Sequence, residues 1–311
     1  MNINLHAWLK GAQSLLAPSV PICLSCGKRA RLSSQLPAIC TACAAAIPWI
    51  TRPRCRKCGR ATGCPDCSRS GEPSPIVCNR SAVAYSTEMR EWLGRYKYRG
   101  NERYAPVLGA MLDTAYVMLM AEMEQLLQEQ LLQVNAGSAP EGCITTAHRL
   151  APPPRSTSAD RTPTPPSGST AASRWQADLL VPVPVSNARL DERGFNQAER
   201  LADVLSRRRG IPQLPLLVRT HHTAKQSFKS RAERLADMKF AFAANPDPAM
   251  RPMLRVAVNA IGPLERPLRI IIVDDIYTTG STIRACAQVV SRLAAEMGYD
   301  AEIYSLTWAR S

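Results

Sequence analysis

Apolar positions along the chain change their period twice. Near the start Leu5, Trp8, Leu9, Ala12, Leu15 and Leu16 recur at helical spacing, which predicts a short packing helix over 1–20. Met89, Trp92, Leu93 and Tyr96 form a short helical face, and a second helical run covers about 103–133. The last third alternates between short apolar runs and helical patterns. DLLVPVPV at 178–185 reads as a strand with prolines at its exit, and 198–209 as a helix with Leu201, Val204 and Leu205 inward. RIIIVD at 269–274 reads as a buried strand, 281–297 as a helix and 301–306 as a final strand. Apolar strands alternating with helices predict an α/β domain, a mainly parallel sheet flanked by helices.

Between these patterns, about 135–174, Pro, Ser, Thr and Ala dominate and almost nothing is available to bury. That composition predicts a disordered insertion. No stretch approaches the roughly 20 apolar residues of a membrane-spanning helix, and the start lacks the basic residues and unbroken apolar run of a signal peptide. The expectation is therefore a cytoplasmic protein without membrane insertion.

In a reducing compartment the 11 cysteines call for a reason other than disulfides. Eight of them form four C-x-x-C pairs: Cys23 and Cys26, Cys40 and Cys43, Cys55 and Cys58, Cys64 and Cys67. Two cysteines separated by two residues turn both sulfurs toward one centre, and two such knuckles complete a tetrahedral Cys₄ zinc site. Gly27 and Gly59 directly follow a knuckle cysteine, where a backbone bent around a metal often needs a positive φ. The pattern predicts a double zinc ribbon over 21–75 holding two structural Zn²⁺, with pairing in sequence order the simplest choice. The same thiolates also suit an iron–sulfur cluster, and sequence alone does not choose. Cys78, Cys143 and Cys286 stand alone and read as non-ligands.

Charge sharpens the division. Residues 1–104 carry a net +11, residues 105–175 carry −2 and residues 176–311 carry +5, within a total of +14. Arg29, Arg31, Arg52, Arg54, Arg56, Lys57 and Arg60 lie on or between the knuckles. Such a fringe suits nucleic-acid phosphates, although few interleaved aromatics are present to stack bases.

The richest chemistry follows the strand RIIIVD. Asp274 and Asp275 are succeeded by Ile276, Tyr277, Thr278, Thr279, Gly280, Ser281 and Thr282, and then by a helix. Backbone N–H groups and the helix dipole favour a phosphate there, with hydroxyls adding donors. The paired carboxylates can accept hydrogen bonds from sugar hydroxyls or hold Mg²⁺ through water. Ligands of open α/β sheets bind beyond the carboxyl ends of strands, where this loop lies. No Gly-Lys-Ser/Thr is present, so it is not a Walker loop.

IIIVDDIYTTGST resembles the phosphoribosyl pyrophosphate (PRPP) signature of type I phosphoribosyltransferases. Three further blocks narrow the resemblance to the ComF competence family, which includes GntX-like proteins. They are Lys97-Tyr98-Arg99-Gly100, the run VPVPVSNARLDERGFNQA, and Lys225-Gln226-Ser227 leading to Arg231 and Arg234. That family also begins with a double zinc ribbon, and the resemblance covers 15–104 and 176–310. Two departures stand out, the insertion near 135–174 and Tyr277, where an aliphatic residue is more usual.

The resemblance implies a phosphoribosyltransferase-like domain over 76–311 that binds PRPP with Mg²⁺. Asp274 and Asp275 would meet the ribose hydroxyls, while Thr278, Thr279, Gly280, Ser281 and Thr282 would hold the 5-phosphate. Val183, Pro184, Val185 and Ser186 take the place of the pyrophosphate loop. Arg189, Arg193, Asn196, Gln197, Lys97 and Arg99 are further pocket candidates, each with a plainer reading as loop charge, helix cap or helix-end charge. His221 and His222 read as a solvated pair, and no general base can be named. Two functions follow from the family: a PRPP-dependent transferase serving competence, DNA uptake or nucleotide metabolism, or a non-catalytic module binding single-stranded DNA or a DNA-uptake helicase.

Overall fold

The computed structural model describes residues 20–64, 67, 74–98, 101–135, 175–220 and 240–311. The predicted N-terminal helix, the insertion apart from residue 135, Arg99, Gly100, Cys143, His221, His222 and the Lys225 to Arg234 block lie outside them. After a short helix α1 (Thr41–Ala45) come β1 (Asn79–Ala84), α2 (Thr87–Tyr98) and the long α3 (Tyr104–Asn135). Next are β2 (Leu179–Pro182), α4 (Asn187–Arg193), α5 (Gln197–Arg209), β3 (Leu217–Arg219) and β4 (Phe242–Ala244). The chain closes with α6 (Met250–Asn259), β5 (Leu268–Tyr277), α7 (Ser281–Glu296) and β6 (Ala301–Arg310).

Two compact units result, Met1–Met118 with Ala177–Ser311, and Leu119–Gln176. In the second, Gln125 donates to Glu129 at 2.9 Å, one turn further along α3. The first holds both cysteine clusters and the sheet. That sheet has the order β1-β6-β5-β2, and every adjacent pair in it is parallel. β3 and β4 form a separate antiparallel pair. The α/β reading with a mainly parallel sheet is thus observed.

β5 is the central spine. Its residues 268–273 are buried, as expected of a parallel strand covered on both faces. α7 supplies one cover through Ile283, Cys286, Val290 and Leu293. On α2 the face of Met89, Trp92, Leu93 and Tyr96 is buried. β6 runs four residues beyond the predicted 301–306, because Ser305 and Thr307 are buried in hydrogen bonds to Asn79 and Ser81 of β1 rather than exposed at a strand end. β2 is shorter than 178–185, ending where the prolines remove ladder donors.

α3 corrects another expectation. By length and composition it would suffice to cross a membrane, contrary to the reading that no stretch comes near. Its first half nevertheless behaves as a core helix. Val107, Leu108, Met111, Leu112 and Ala115 are buried, and the absent side chain of Gly109 makes room for Val204 of α5. Trp308 donates to Met111 Sδ at 3.4 Å. Asp113, in the same stretch, accepts from Arg208 Nε at 2.9 Å and Arg209 Nε at 2.5 Å.

Candidate functional site

The eight C-x-x-C cysteines gather into two clusters in sequence order. Cys23, Cys26, Cys40 and Cys43 form one, and Cys55, Cys58, Cys64 and Cys67 the other, with ligand atoms of each set within 4.8 Å of one another. Tetrahedral zinc with bonds of about 2.3 Å places its sulfurs roughly 3.8 Å apart. Cys26 and Cys40 sulfurs lie 3.9 Å apart, and those of Cys58 and Cys64 3.4 Å. Backbone amides donate to the sulfurs, Cys40 to Cys23 at 3.3 Å, Cys43 to Cys40 at 3.4 Å and Cys58 to Cys55 at 3.5 Å. The donor set and its spacing fit one zinc ion per cluster. Cys78 and Cys286 are buried and lie outside both.

Within each cluster the thiols are unlike. Burial opposes ionisation of Cys58, yet hydrogen bonds from Arg310, the Arg60 amide and neighbouring thiols outweigh it and bring the thiol down to about 6. Cys23 comes to about 6 against the same burial, through the amides of Cys26, Cys40 and Ser25. Cys43 is pushed up to about 12 by burial and by the thiols beside it. Four thiolates crowd one another unless a cation sits among them, as a zinc site requires.

The clusters dock differently. Arg95 of α2 donates to the Ser25 carbonyl at 2.9 Å, and Tyr104 of α3 to the Leu24 carbonyl at 3.0 Å. The second cluster instead rests on the sheet, where Asn79 Nδ2 donates to the Cys58 carbonyl at 3.1 Å and the cysteines pack into the apolar core beside Ile76. Lys28, Arg29, Arg31, Arg52, Arg54, Arg56 and Lys57 are exposed on the knuckles, and Arg60 is half-buried.

The second centre lies at the carboxyl ends of β2 and β5. These strands are neighbours, with Pro182 opposite Val273 and the Val183 amide donating to the Val273 carbonyl at 2.9 Å. The segments following them therefore border one cavity of about 200 Å³. Its walls include Lys97, Val183, Pro184, Val185, Ser186, Arg189, Arg193, Asn196, Gln197, Asp274, Asp275 and Thr282. Thr278, Thr279, Gly280 and Ser281 form the adjoining turn into α7 rather than the cavity wall. Gly280 has φ +80° and no side chain caps the helix. The Thr279 and Ser281 hydroxyls lie 3.1 Å apart.

Asp275 pairs with Lys97 of α2, and its amide donates to Asp274 Oδ1 at 2.8 Å. Burial, and then the neighbouring Asp275, push the Asp274 carboxyl up to about 7. Arg193, 9% exposed, is held rather than solvated. It donates to Gln197 Oε1 at 2.7 Å and to the Tyr98 hydroxyl at 3.3 Å. Its guanidinium lies 5.0 Å over the Tyr98 ring, and its Nε has no hydrogen-bond partner among the described residues. Asn196 caps α5 by accepting from the Ala198 amide and ties back to the Val183 carbonyl, each at 3.1 Å.

One charged wall residue escaped the sequence reading. Arg219, at the end of β3, enters the cavity beside Asp274, and burial together with nearby Arg189 makes its proton easier to lose than usual. The available signal was an arginine closing the apolar run LPLLV.

Comparison with known proteins bears on both centres. No family model matches the chain. Competence protein ComFC of Bacillus subtilis (strain 168) is 27% identical over 281 residues, covering 88% of this chain and 84% of that protein. Over most of its length the chain is thus similar to a ComF competence protein. A shorter match is to competence protein F of Haemophilus influenzae, 35% identical over 121 residues (38% of this chain, 46% of that protein). DNA utilization protein YhgH of Escherichia coli (strain K12) is 34% identical over 122 residues, 38% of this chain and 45% of that protein.

Proposed function

We propose that this ComF homologue is a cytoplasmic DNA-uptake protein whose α/β domain, over 76–311, binds PRPP with Mg²⁺ and whose ribbon, over 21–75, carries two structural zinc ions. The observation that carries the reading is the convergence on one cavity of Asp274 and Asp275 with Lys97, Arg189, Arg193 and Arg219. A ligand bearing both hydroxyls and several phosphate charges answers that mixture. The carboxylates accept from ribose hydroxyls or hold hydrated Mg²⁺, the α7 turn takes the 5-phosphate, and the arginines take pyrophosphate.

Were a group transferred, the chain's residues would act by positioning and by neutralising pyrophosphate rather than through a covalent nucleophile. Calorimetry with PRPP and Mg²⁺ tests the assignment. Wild type should bind, and Asp274→Ala with Asp275→Ala should lose at least tenfold. An absence of heat with wild type refutes it.

The exposed cations on the knuckles favour a second role for the same chain, contact with single-stranded DNA or with a DNA-uptake helicase. The names of the relatives in competence and DNA utilization support that setting. Oligonucleotide binding should weaken steeply with salt; no binding at low salt removes this role.

A further inference from the structure

The second cysteine cluster and the turn into α7 are joined by two side chains. Arg310, 5% exposed at the end of β6, donates through Nε to the Cys58 carbonyl at 3.2 Å and through Nη2 to Cys58 Sγ at 3.5 Å. Its Nη1 donates to the Tyr277 carbonyl at 3.1 Å. The same guanidinium lies 4.9 Å from the centre of the Tyr277 ring. Tyr277 also meets Gly280, where an added Cβ would collide with the phenol oxygen. Tyr277 also shares a small crevice with Cys58, Cys67 and Arg284. The first cluster makes no such link among the described residues, its docking bonds going to Arg95 and Tyr104.

We infer that Arg310 and Tyr277 are positioning residues that make the order of the 278–282 turn depend on the metal state of the second cluster. Hydrogen bonds to ligating sulfur fix ligand geometry around a metal, so Arg310 is held where Cys58 is held. Tyr277 then touches both Arg310, through its ring, and Gly280, through its phenol end. Loss of metal frees Cys58, releases Arg310 from the Cys58 sulfur and carbonyl, and loosens one of the two cations beside Tyr277, the other being Arg284. The turn that begins one residue later loses its buttress. The consequence for PRPP rests on the assignment proposed above, whereas the consequence for the turn does not.

Two measurements on the zinc-loaded full chain separate these. Hydrogen exchange of the 278–283 amides reads the turn without any ligand, and calorimetry with PRPP and Mg²⁺ reads the cavity. Cys67→Ser, which opens the second cluster, and Arg310→Gln, which leaves all eight thiols, should each speed exchange about tenfold and weaken PRPP about tenfold. Tyr104→Phe, which removes bonds to Leu24 of the first knuckle and to Arg95 but none to the second cluster, should change both less than twofold. Tyr277→Phe keeps the ring over Arg310 and removes only the hydroxyl at Gly280, so it should speed exchange about threefold, and it serves if Cys67→Ser does not fold. Unchanged exchange in Arg310→Gln and Tyr277→Phe overturns the inference, as does an equal effect of Tyr104→Phe. If wild type binds no PRPP, the ligand assignment falls and the exchange results alone decide the coupling.

Discussion

Gly27 and Gly59 occupy equivalent places after a knuckle cysteine, with φ of +72° and +71°, yet alanine should be tolerated at one and not at the other. A Cβ on Gly27 meets nothing within 4 Å, while one on Gly59 falls 2.6 Å from the Asn79 carbonyl oxygen. The left-handed conformation costs an alanine about 1–2 kcal/mol, and this is the whole penalty at Gly27. At Gly59 the obstructing carbonyl cannot retreat. Asn79 is fully buried, its amide tied to Cys58 and Ser81, and its Oδ1 accepts from Ser305 at 2.7 Å. Overpacking against such a fixed neighbour adds about 1–3 kcal/mol. At about 2–4 °C per kcal/mol for a domain of this size, Gly27→Ala should lower Tm by roughly 2–8 °C and Gly59→Ala by roughly 4–20 °C, the larger loss of the two. Thermal unfolding by circular dichroism measures this, with zinc release followed by a colorimetric chelator. Gly59→Ala should also release metal sooner. Equal losses in the two variants, or a larger loss for Gly27→Ala, would refute the steric account.

Two further outcomes concern the cavity. With Asp274 at about 7 against its usual 3.8, the folded chain holds the proton that the unfolded chain has lost between those values, so this group makes stability fall as pH rises through that window. PRPP affinity at saturating Mg²⁺ should move the other way, falling roughly tenfold from pH 8 to pH 6; Asp274→Asn should flatten both trends, and a wild-type profile no steeper than the variant's would remove Asp274 from the binding step. Gln197→Ala leaves buried Arg193 without its 2.7 Å acceptor and should weaken PRPP about threefold to tenfold while costing about 1–2 kcal/mol in urea unfolding; undiminished affinity would show that Arg193 is held by Tyr98 alone.

Features that depend on near neighbours were legible in the sequence. Cysteine spacing fixes which sulfurs can meet on one knuckle whatever the rest of the chain does, and a buried parallel strand announces itself by an apolar run such as Ile270 to Val273. What escaped is held by distant partners. β1 reads NRSAVA, and three of its first residues are polar, yet Asn79, Arg80 and Ser81 are buried. Their bonds to Arg56, Cys58, Ser305 and Thr307 replace water, so a strand resembles a loop until β6 is placed beside it. α6 hides its core stripe of Met250, Leu254 and Val258 behind Pro252 and two arginines. Arg219 reaches the cavity only because β3 and β4 pair beside it. Asp274 and Asp275 were visible as a motif, but their cationic neighbours come from α2, α4 and β3, segments no local pattern connects.

The pairing of β1 with β6 sets a timetable for synthesis. Ser25 lies 70 residues before Arg95, and Leu24 lies 80 before Tyr104, so the first knuckle meets its docking partners soon after it emerges. Asn79 waits for Ser305, 226 residues later. On a ribosome adding about 5–20 residues per second, that wait is roughly 10–45 s. Throughout it, the second knuckle on a nascent chain lacks β6 and, with it, Arg310. Chaperones and oxidants in the translating cell therefore encounter the two knuckles at different stages of maturity, and the one joined to Arg310 and Tyr277 is the later to be sheltered.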